Sequence, residues 1–158
     1  MVFRVWKLAD VAQECTVELN TLRAWVQRGL IKPHAAALAT LGQHYLTRHE
    51  AARVRIAKAL MECQISAQPA FDLASAFLVA DQPQDGAPQR DPGELFAAND
   101  ADDTVLVIYG NGHPAQCLPY TKAKTTAFEL LYASGAARGT SLLPLGRLIT
   151  LLSQAFDH

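Results

Sequence analysis

The stretch TLRAWVQRGLIKP, residues 21–33, holds two arginines, a tryptophan, a glycine and a proline within thirteen positions. Its surroundings contain apolar side chains at the spacing of one helix face, which predicts an amphipathic helix over residues 18–28. These side chains are Leu19, Leu22 and Val26. Gly29 is typical of a residue that ends a helix, and Pro33 prevents the helix from resuming. We therefore predict a short helix whose polar face points away from the core.

The residues on both sides of this helix also predict helices. The preceding one repeats its apolar residues at i, i+3, i+4 and i+7, and about three residues join the two, which predicts a helix-turn-helix. Thr47 and Glu50 form a capping box for a third helix, and a fourth is expected over about 67–80, with Pro69 in its first turn. The residues expected to face inward are Leu8, Val11, Ala12 and Cys15, then Ala52, Ile56, Ala59, Leu60 and Cys63, then Phe71, Ala74 and Leu78.

Residues 81–93, DQPQDGAPQRDPG, are rich in proline, glycine and acidic residues and have no apolar periodicity. Such a composition predicts a linker. The predicted organisation is therefore an N-terminal domain over 1–80, a linker over 81–93 and a C-terminal domain over 94–158.

The C-terminal part has the pattern of a small α/β domain. The β-branched run at 104–110 predicts a core strand, and the Asn-Gly pair after it predicts a hairpin to an antiparallel strand at 115–120, where Pro119 favours an edge. The elements expected next are a helix over 121–135, a short strand in 140–145 and a last helix over 145–156. That helix has more apolar residues than a small domain needs to bury, which favours a homodimer. They are Leu145, Leu148, Ile149, Leu152 and Phe156.

The net charge of −1 conceals an uneven distribution. Residues 1–63 hold nine Lys/Arg against five Asp/Glu, which gives +4, and residues 64–103 hold one against eight, which gives −7. The remaining residues hold four against two, which gives +2. A basic N-terminal segment is compatible with a polyanionic partner.

Several classes of function are disfavoured by what the sequence contains. Its apolar runs are shorter than the roughly 20 residues that span a bilayer, and no secretory leader is recognisable. Three widely separated cysteines predict core packing in a reducing cytoplasm rather than disulfides or a metal site. The aspartates at 100–103, and the pair His113 and Cys117, have no identifiable catalytic partners. We expect no catalytic residue, metal or cofactor.

The N-terminal half resembles the MerR family of bacterial regulators, from about Val5 to Leu78. The resemblance rests on KLADVAQECTV, then TLRAWVQRGLIKP, then Gly42, then YLTRHEAARVRIAKAL. It implies a winged helix-turn-helix and a transcription regulator that reads the major groove of double-stranded DNA. The resemblance says nothing direct about the C-terminal part, where the pattern predicts a small α/β domain, so the whole protein is expected to be α+β. We expect this domain to dimerise the protein or to bind a protein partner or effector.

Matching positions imply the residues that contact DNA. Arg23 corresponds to a contact with a base edge or phosphate, and Trp25 and Arg28 correspond to contacts with the DNA backbone. Asn20 and Gln27 have amides that can pair with adenine edges. The full predicted set is Asn20, Thr21, Arg23, Trp25, Gln27, Arg28, Lys32, His44 and Tyr45, of which the last three belong to the wing.

The expected wing departs from the family pattern. His44 stands where an arginine is usual, and residues 34–41 are almost uncharged, so this wing should hold phosphates weakly. Two alternatives therefore remain open at this stage. One is an excisionase-like architectural DNA binder, and the other is a protein-interaction or anti-activator module that has lost its DNA affinity.

Overall fold

The computed structural model of the protein describes residues 5–34, 44–80, 90–96, 104–109, 114–120, 123 and 140–156. The chain divides into two compact units, one of Met1–Ala74 with Thr150–His158 and one of Ser75–Ile149. The predicted α+β class is confirmed, because a helical N-terminal region is followed by a small sheet. The boundaries 1–80, 81–93 and 94–158 stay predictions.

In the described residues before Ser75, the first unit contains four helices and a two-stranded sheet. The helices are α1 (Leu8–Glu14), α2 (Leu19–Gln27), α3 (Arg48–Glu62) and α4 (Ala67–Ala74), and the strands are β1 (Val5–Lys7) and β2 (Tyr45–Thr47). The two strands pair antiparallel, with Trp6 opposite Leu46. The predicted helix-turn-helix is thus present as α1 and α2, and β2 leads directly into α3.

The start of α3 follows from its capping residue. Thr47 Oγ1 accepts a hydrogen bond from the backbone N–H of Glu50 at 3.2 Å, which confirms the first half of the predicted capping box. The Glu50 carboxylate accepts from Arg53 at 3.0 Å. The cap therefore coexists with an ion pair on the first turn of α3.

The core of this unit contains most of the residues that helical periodicity selects. All four predicted residues of α1 are buried, as are Ala52, Ile56 and Leu60 of α3 and Phe71 and Ala74 of α4. Ala59 is half-buried, and two other predictions were wrong in part. Cys63 is exposed because it lies at the C-cap of α3. In the 3₁₀ turn Ser75–Leu78, which begins the second unit, Phe77 is buried in place of Leu78.

The second unit contains a three-stranded antiparallel sheet. Its strands are β3 (Thr104–Ile108), β4 (Gln116–Pro119) and β5 (Ser141–Pro144), in the order β4-β3-β5. The central position of β3 explains why its first four residues are all buried, and Pro119 lies on an edge strand as predicted. The predicted Asn-Gly turn and nearly all of the predicted helix over 121–135 lie outside the described residues.

Arg90, in the segment predicted as a linker, is buried in the second unit. Its guanidinium donates to the backbone carbonyls of Phe77 at 2.8 Å, Val79 at 2.9 Å and Glu94 at 3.0 Å. It also lies 5.3 Å from the centroid of the Phe77 ring. Arg90 is therefore packed although Asp91 and Pro92 beside it are exposed, and residues 81–89 lie outside the described residues.

The last helix, α5, covers Gly146–Phe156 as predicted. Leu145, Ile149 and Leu152 are buried and Leu148 is half-buried, whereas the side chain of Phe156 lies outside the described residues. Among the helices of the described ranges, none is long and apolar enough to cross a membrane.

Candidate nucleic-acid interface

The polar face of α2 is exposed as the sequence predicts. The side chains along it that solvent reaches are Asn20, Arg23, Ala24, Gln27 and Arg28. Thr21 is half-buried, as are Leu19 and Val26. We call the exposed set the α2 polar face; it offers two guanidinium groups and two amides to a ligand, which are the groups that recognise phosphates and base edges.

The opposite face of α2 is fixed in the core by two large side chains. Leu22 is fully buried, and only 7% of Trp25 is exposed. The indole meets the ring of Phe71, on α4, edge-on at 5.2 Å between centroids and 74° between planes. Because this geometry is favourable for aromatic pairs, it holds the middle of α2 against α4.

The burial of Trp25 differs from what its predicted role would require. The resemblance places an aromatic contact with the DNA backbone at this position, but in this chain the indole packs in the core. Periodicity based on aliphatic residues alone misses the side chain, since Trp25 continues the buried stripe one turn after Leu22. In this structure the indole fixes the position of α2, and a contact of Trp25 with DNA stays a prediction.

Gly29 sets the exit of the chain from α2. Its φ is +74°, a left-handed conformation that glycine adopts without steric penalty. The backbone N–H of Leu30 then donates to the carbonyl of Trp25 at 2.9 Å, and Leu30 and Ile31 turn into the core. Gly29 thus acts as the helix stop that the sequence predicts.

The side chain of Arg53, on α3, contacts and stabilises the segment that follows α2. Its Nη2 donates to the carbonyl oxygen of Leu30, and its Nη1 lies 3.0 Å from Glu50 Oε1. The guanidinium also lies 5.3 Å from the centroid of the Phe71 ring. With side chains that are only 11% and 12% exposed, Arg53 and Glu50 form a nearly buried ion pair. Sequence reasoning missed this residue, because a cation on a helix is usually solvated.

The base of the wing is described, whereas residues 35–43 lie outside the described residues. The backbone N–H of His34 donates to the carbonyl of Tyr45 at 2.9 Å, and that of Leu8 donates to the carbonyl of His44 at 3.0 Å. Lys32 is exposed, and His44 and Tyr45 are half-buried. His44 Nδ1 is buried and has no hydrogen-bond partner within the described part of the chain, so only its other ring nitrogen is a candidate for an external contact.

Within the helix-turn-helix, exposed negative charges lie on α1 and the turn, and exposed positive charges lie on α2 and its exit. The exposed acidic residues of α1 and the turn are Asp10, Glu14 and Glu18. Beyond them, α2 and its exit carry Arg23, Arg28 and Lys32, all exposed. A polyanion therefore meets attraction along α2 and repulsion near the turn that precedes it.

The geometry of the α2 polar face places Arg23 next to Asn20. Arg23 Nη1 donates to Asn20 Oδ1 at 3.2 Å, across three residues on the same side of the helix. Both side chains are exposed, so the pair lies at the surface with most of its remaining donors directed to solvent.

Within the described residues, no group of three or more His, Cys, Asp or Glu side chains is placed to hold a metal ion. Residues 100–103 and His113 lie outside the described residues. Cys117 is buried on β4 and Cys15 is buried on the first unit, as predicted. Burial raises the pKa of the Cys15 thiol to about 12; the nearby Arg55 lowers it and Glu14 raises it.

The three thiols should consequently differ in reactivity. At pH 8 we expect one rapid equivalent of a disulfide reagent such as DTNB to react, at the exposed Cys63, and two slow ones. The Cys63→Ser variant should lose the rapid phase alone. Any rapid equivalent in the Cys63→Ser protein would contradict the burial of Cys15 and Cys117.

The pKa of Cys15 also predicts a dependence of stability on pH. Because the folded-state pKa of Cys15 exceeds its unfolded value of 9.0, the stability due to this thiol should decline as pH rises from about 9 to about 12.

Comparison with known families gives one match. Residues 7–68 match the model described as MerR HTH family regulatory protein, which is about two fifths of the chain and includes α1, α2 and α3. No curated protein matches the chain at a significant level. Residues 7–68 are therefore similar to the helix-turn-helix of the MerR family of regulatory proteins.

Proposed function

We propose that this protein is a transcription regulator that binds double-stranded DNA sequence-specifically, with α2 in the major groove. The observation that carries the proposal is the division of α2 into two faces. Leu22 and Trp25 fix one face in the core, while the polar face exposes Arg23, Gln27 and Arg28. A helix held in this way presents its side chains to a groove without reordering its backbone, as recognition helices do.

Each exposed group has a specific role in the proposal. Arg23 contacts a base edge, and Arg28, at the C-cap of α2, contacts phosphate. Gln27 reads a base edge through its amide. Lys32 and the residues at the base of the wing, His44 and Tyr45, contribute sugar-phosphate contacts.

The proposed assembly is a homodimer that acts in the cytoplasm as a regulator rather than an enzyme. Two copies would present two recognition helices to a palindromic site. The C-terminal domain would supply the dimer contact or bind a protein partner or effector. Gel filtration of the protein and of a chain that ends near Pro92 measures that role; an unchanged oligomeric state would remove it.

Salt dependence tests DNA binding by the full-length protein. If the guanidinium groups displace counterions from phosphates, log K should fall linearly with log salt concentration, with a slope of about −0.9 per phosphate contact. Binding that bends DNA strongly and shows little sequence preference would favour the excisionase-like alternative. The absence of binding at low salt would contradict the proposal and favour a protein-interaction module.

Arg23→Ala should lower affinity for the selected DNA site by about 5- to 150-fold, which corresponds to about 1–3 kcal/mol. Because Arg23 is exposed, the free energy of unfolding should change by no more than about 0.5 kcal/mol. The matched control is Arg147→Ala, which also removes an exposed cation, from α5 and outside the family match. Fluorescence anisotropy and urea denaturation measure the two quantities. A large loss of stability in Arg23→Ala would instead make the residue structural.

A further inference from the structure

We propose, on the basis of the DNA-binding function above, that Asn20 is a positioning residue that orients Arg23 toward a guanine. Arg23 would read the O6 and N7 acceptors of that base in the major groove, and Asn20 would hold its guanidinium in position. This assignment changes the predicted role of Asn20, whose amide sequence reasoning treats as a reader of base edges such as adenine.

The geometry supplies the first argument. Arg23 Nη1 donates to Asn20 Oδ1 at 3.2 Å, and the two residues are three apart on one helix face. A free arginine side chain has many rotamers, and part of its binding energy is lost when the ligand immobilises them. A bond that forms before DNA arrives removes some of this loss. The amide therefore acts on affinity through Arg23.

The chemistry of the remaining groups supplies the second argument. Asparagine recognises adenine by donating to N7 and accepting from the N6 amino group, so it needs its oxygen. In this protein Oδ1 accepts from Arg23 instead. The groups left to meet a base are then the other guanidinium hydrogens of Arg23, all donors. A guanidinium, which only donates, matches a base edge that only accepts, and in the major groove this is the guanine edge.

The position along the helix favours a base over a phosphate. Recognition helices contact base edges chiefly with residues near their N-terminus. Asn20 and Arg23 are the second and fifth residues of α2, whereas Arg28 lies at its C-cap. Phosphate oxygens also accept hydrogen bonds, so a phosphate contact is the outcome against which the experiment must discriminate.

The experiment combines site selection with a double-mutant cycle. Wild-type protein selects duplexes from a random pool, and affinities are then measured for the selected site and for versions with each guanine replaced. We expect Asn20→Ala to weaken binding to the selected site by about 2- to 10-fold. In the Arg23→Ala background the same change should have no effect, because its action requires the guanidinium. Both variants should lose discrimination at the same base pair.

Two further variants distinguish positioning from a general effect. Asn20→Asp keeps an oxygen that accepts from Arg23, so it should retain the preference for that guanine while phosphate repulsion lowers affinity for all sites. Gln27→Ala is the matched control, since it lies on the α2 polar face but no bond to Arg23 is seen among the described residues. Its effect should add to that of Arg23→Ala.

Different outcomes overturn different statements. If wild type binds DNA but Asn20→Ala and Arg23→Ala are additive, Asn20 does not act through Arg23. If Arg23→Ala weakens all sites equally and lowers the salt slope by about 1, the arginine contacts phosphate and the guanine assignment is wrong. If wild type does not bind DNA at low salt, the proposed function fails, and this inference fails with it.

Discussion

Trp25→Ala is expected to lower the free energy of unfolding by about 3–5 kcal/mol, because it removes a nearly buried indole and leaves a cavity beside Phe71. Chemical denaturation followed by far-UV circular dichroism measures the change. Because the indole packs in the core and supports α2, we expect DNA affinity to follow the fraction of folded protein.

Trp25→Phe separates packing from a DNA contact. Phenylalanine preserves an aromatic ring against Phe71, so the loss of stability should be smaller than in Trp25→Ala and the variant should fold. Affinity for the selected DNA site should then stay within about twofold of wild type, a difference of less than roughly 0.5 kcal/mol. Near-native stability combined with a tenfold loss of affinity would place Trp25 at the DNA, as the family resemblance implies.

Arg53→Met is expected to lower the free energy of unfolding by about 2–4 kcal/mol. The substitution leaves the Glu50 carboxylate nearly buried without its cation and removes the donor to the Leu30 carbonyl. Arg53→Lys keeps the charge but loses the planar fork, so its loss should be intermediate. Urea denaturation measures all of these changes.

The chain offers a matched control for Arg53 on the same helix. Lys58 and Glu62 also lie 3.0 Å apart, but their side chains are 28% and 63% exposed. Lys58→Met should therefore change the free energy of unfolding by less than about 1 kcal/mol. Equal effects at the two sites would show that burial does not set the strength of the Arg53 pair. Adding Glu50→Gln to Arg53→Met should recover part of the loss, because the second change removes the uncompensated charge.

Short-range sequence patterns were sufficient to predict much of the structure of the first unit. The four apolar residues of α1, the Thr47 cap and the stop at Gly29 each depend on neighbours within a few positions, and the structure confirms all of them. The edge position of β4 also follows from one residue, Pro119, which cannot donate a ladder hydrogen bond.

The residues that the sequence misplaced depend on partners far along the chain. Trp25 is buried because Phe71 covers it, and a window around α2 does not contain that ring. Arg53 adds one positive charge to the composition, but its guanidinium is already bonded to the Glu50 carboxylate and to the carbonyl oxygen of Leu30. Arg90 stands among prolines and glycines that indicate a linker, but three backbone carbonyls fix its guanidinium. Periodicity and composition do not report such non-local contacts.

The edge-on contact between Trp25 and Phe71 has a consequence for how the domain is synthesised and dissected. During translation, α2 leaves the ribosome long before α4, so its buried face has no complete cover until Phe71 emerges. The family match ends at residue 68, three residues before that ring. A fragment that ends at residue 68 would keep every residue of the α2 polar face but would lack Phe71, the ring against which Trp25 of α2 packs. A fragment in which the α2 polar face keeps its position should therefore extend at least through Ala74.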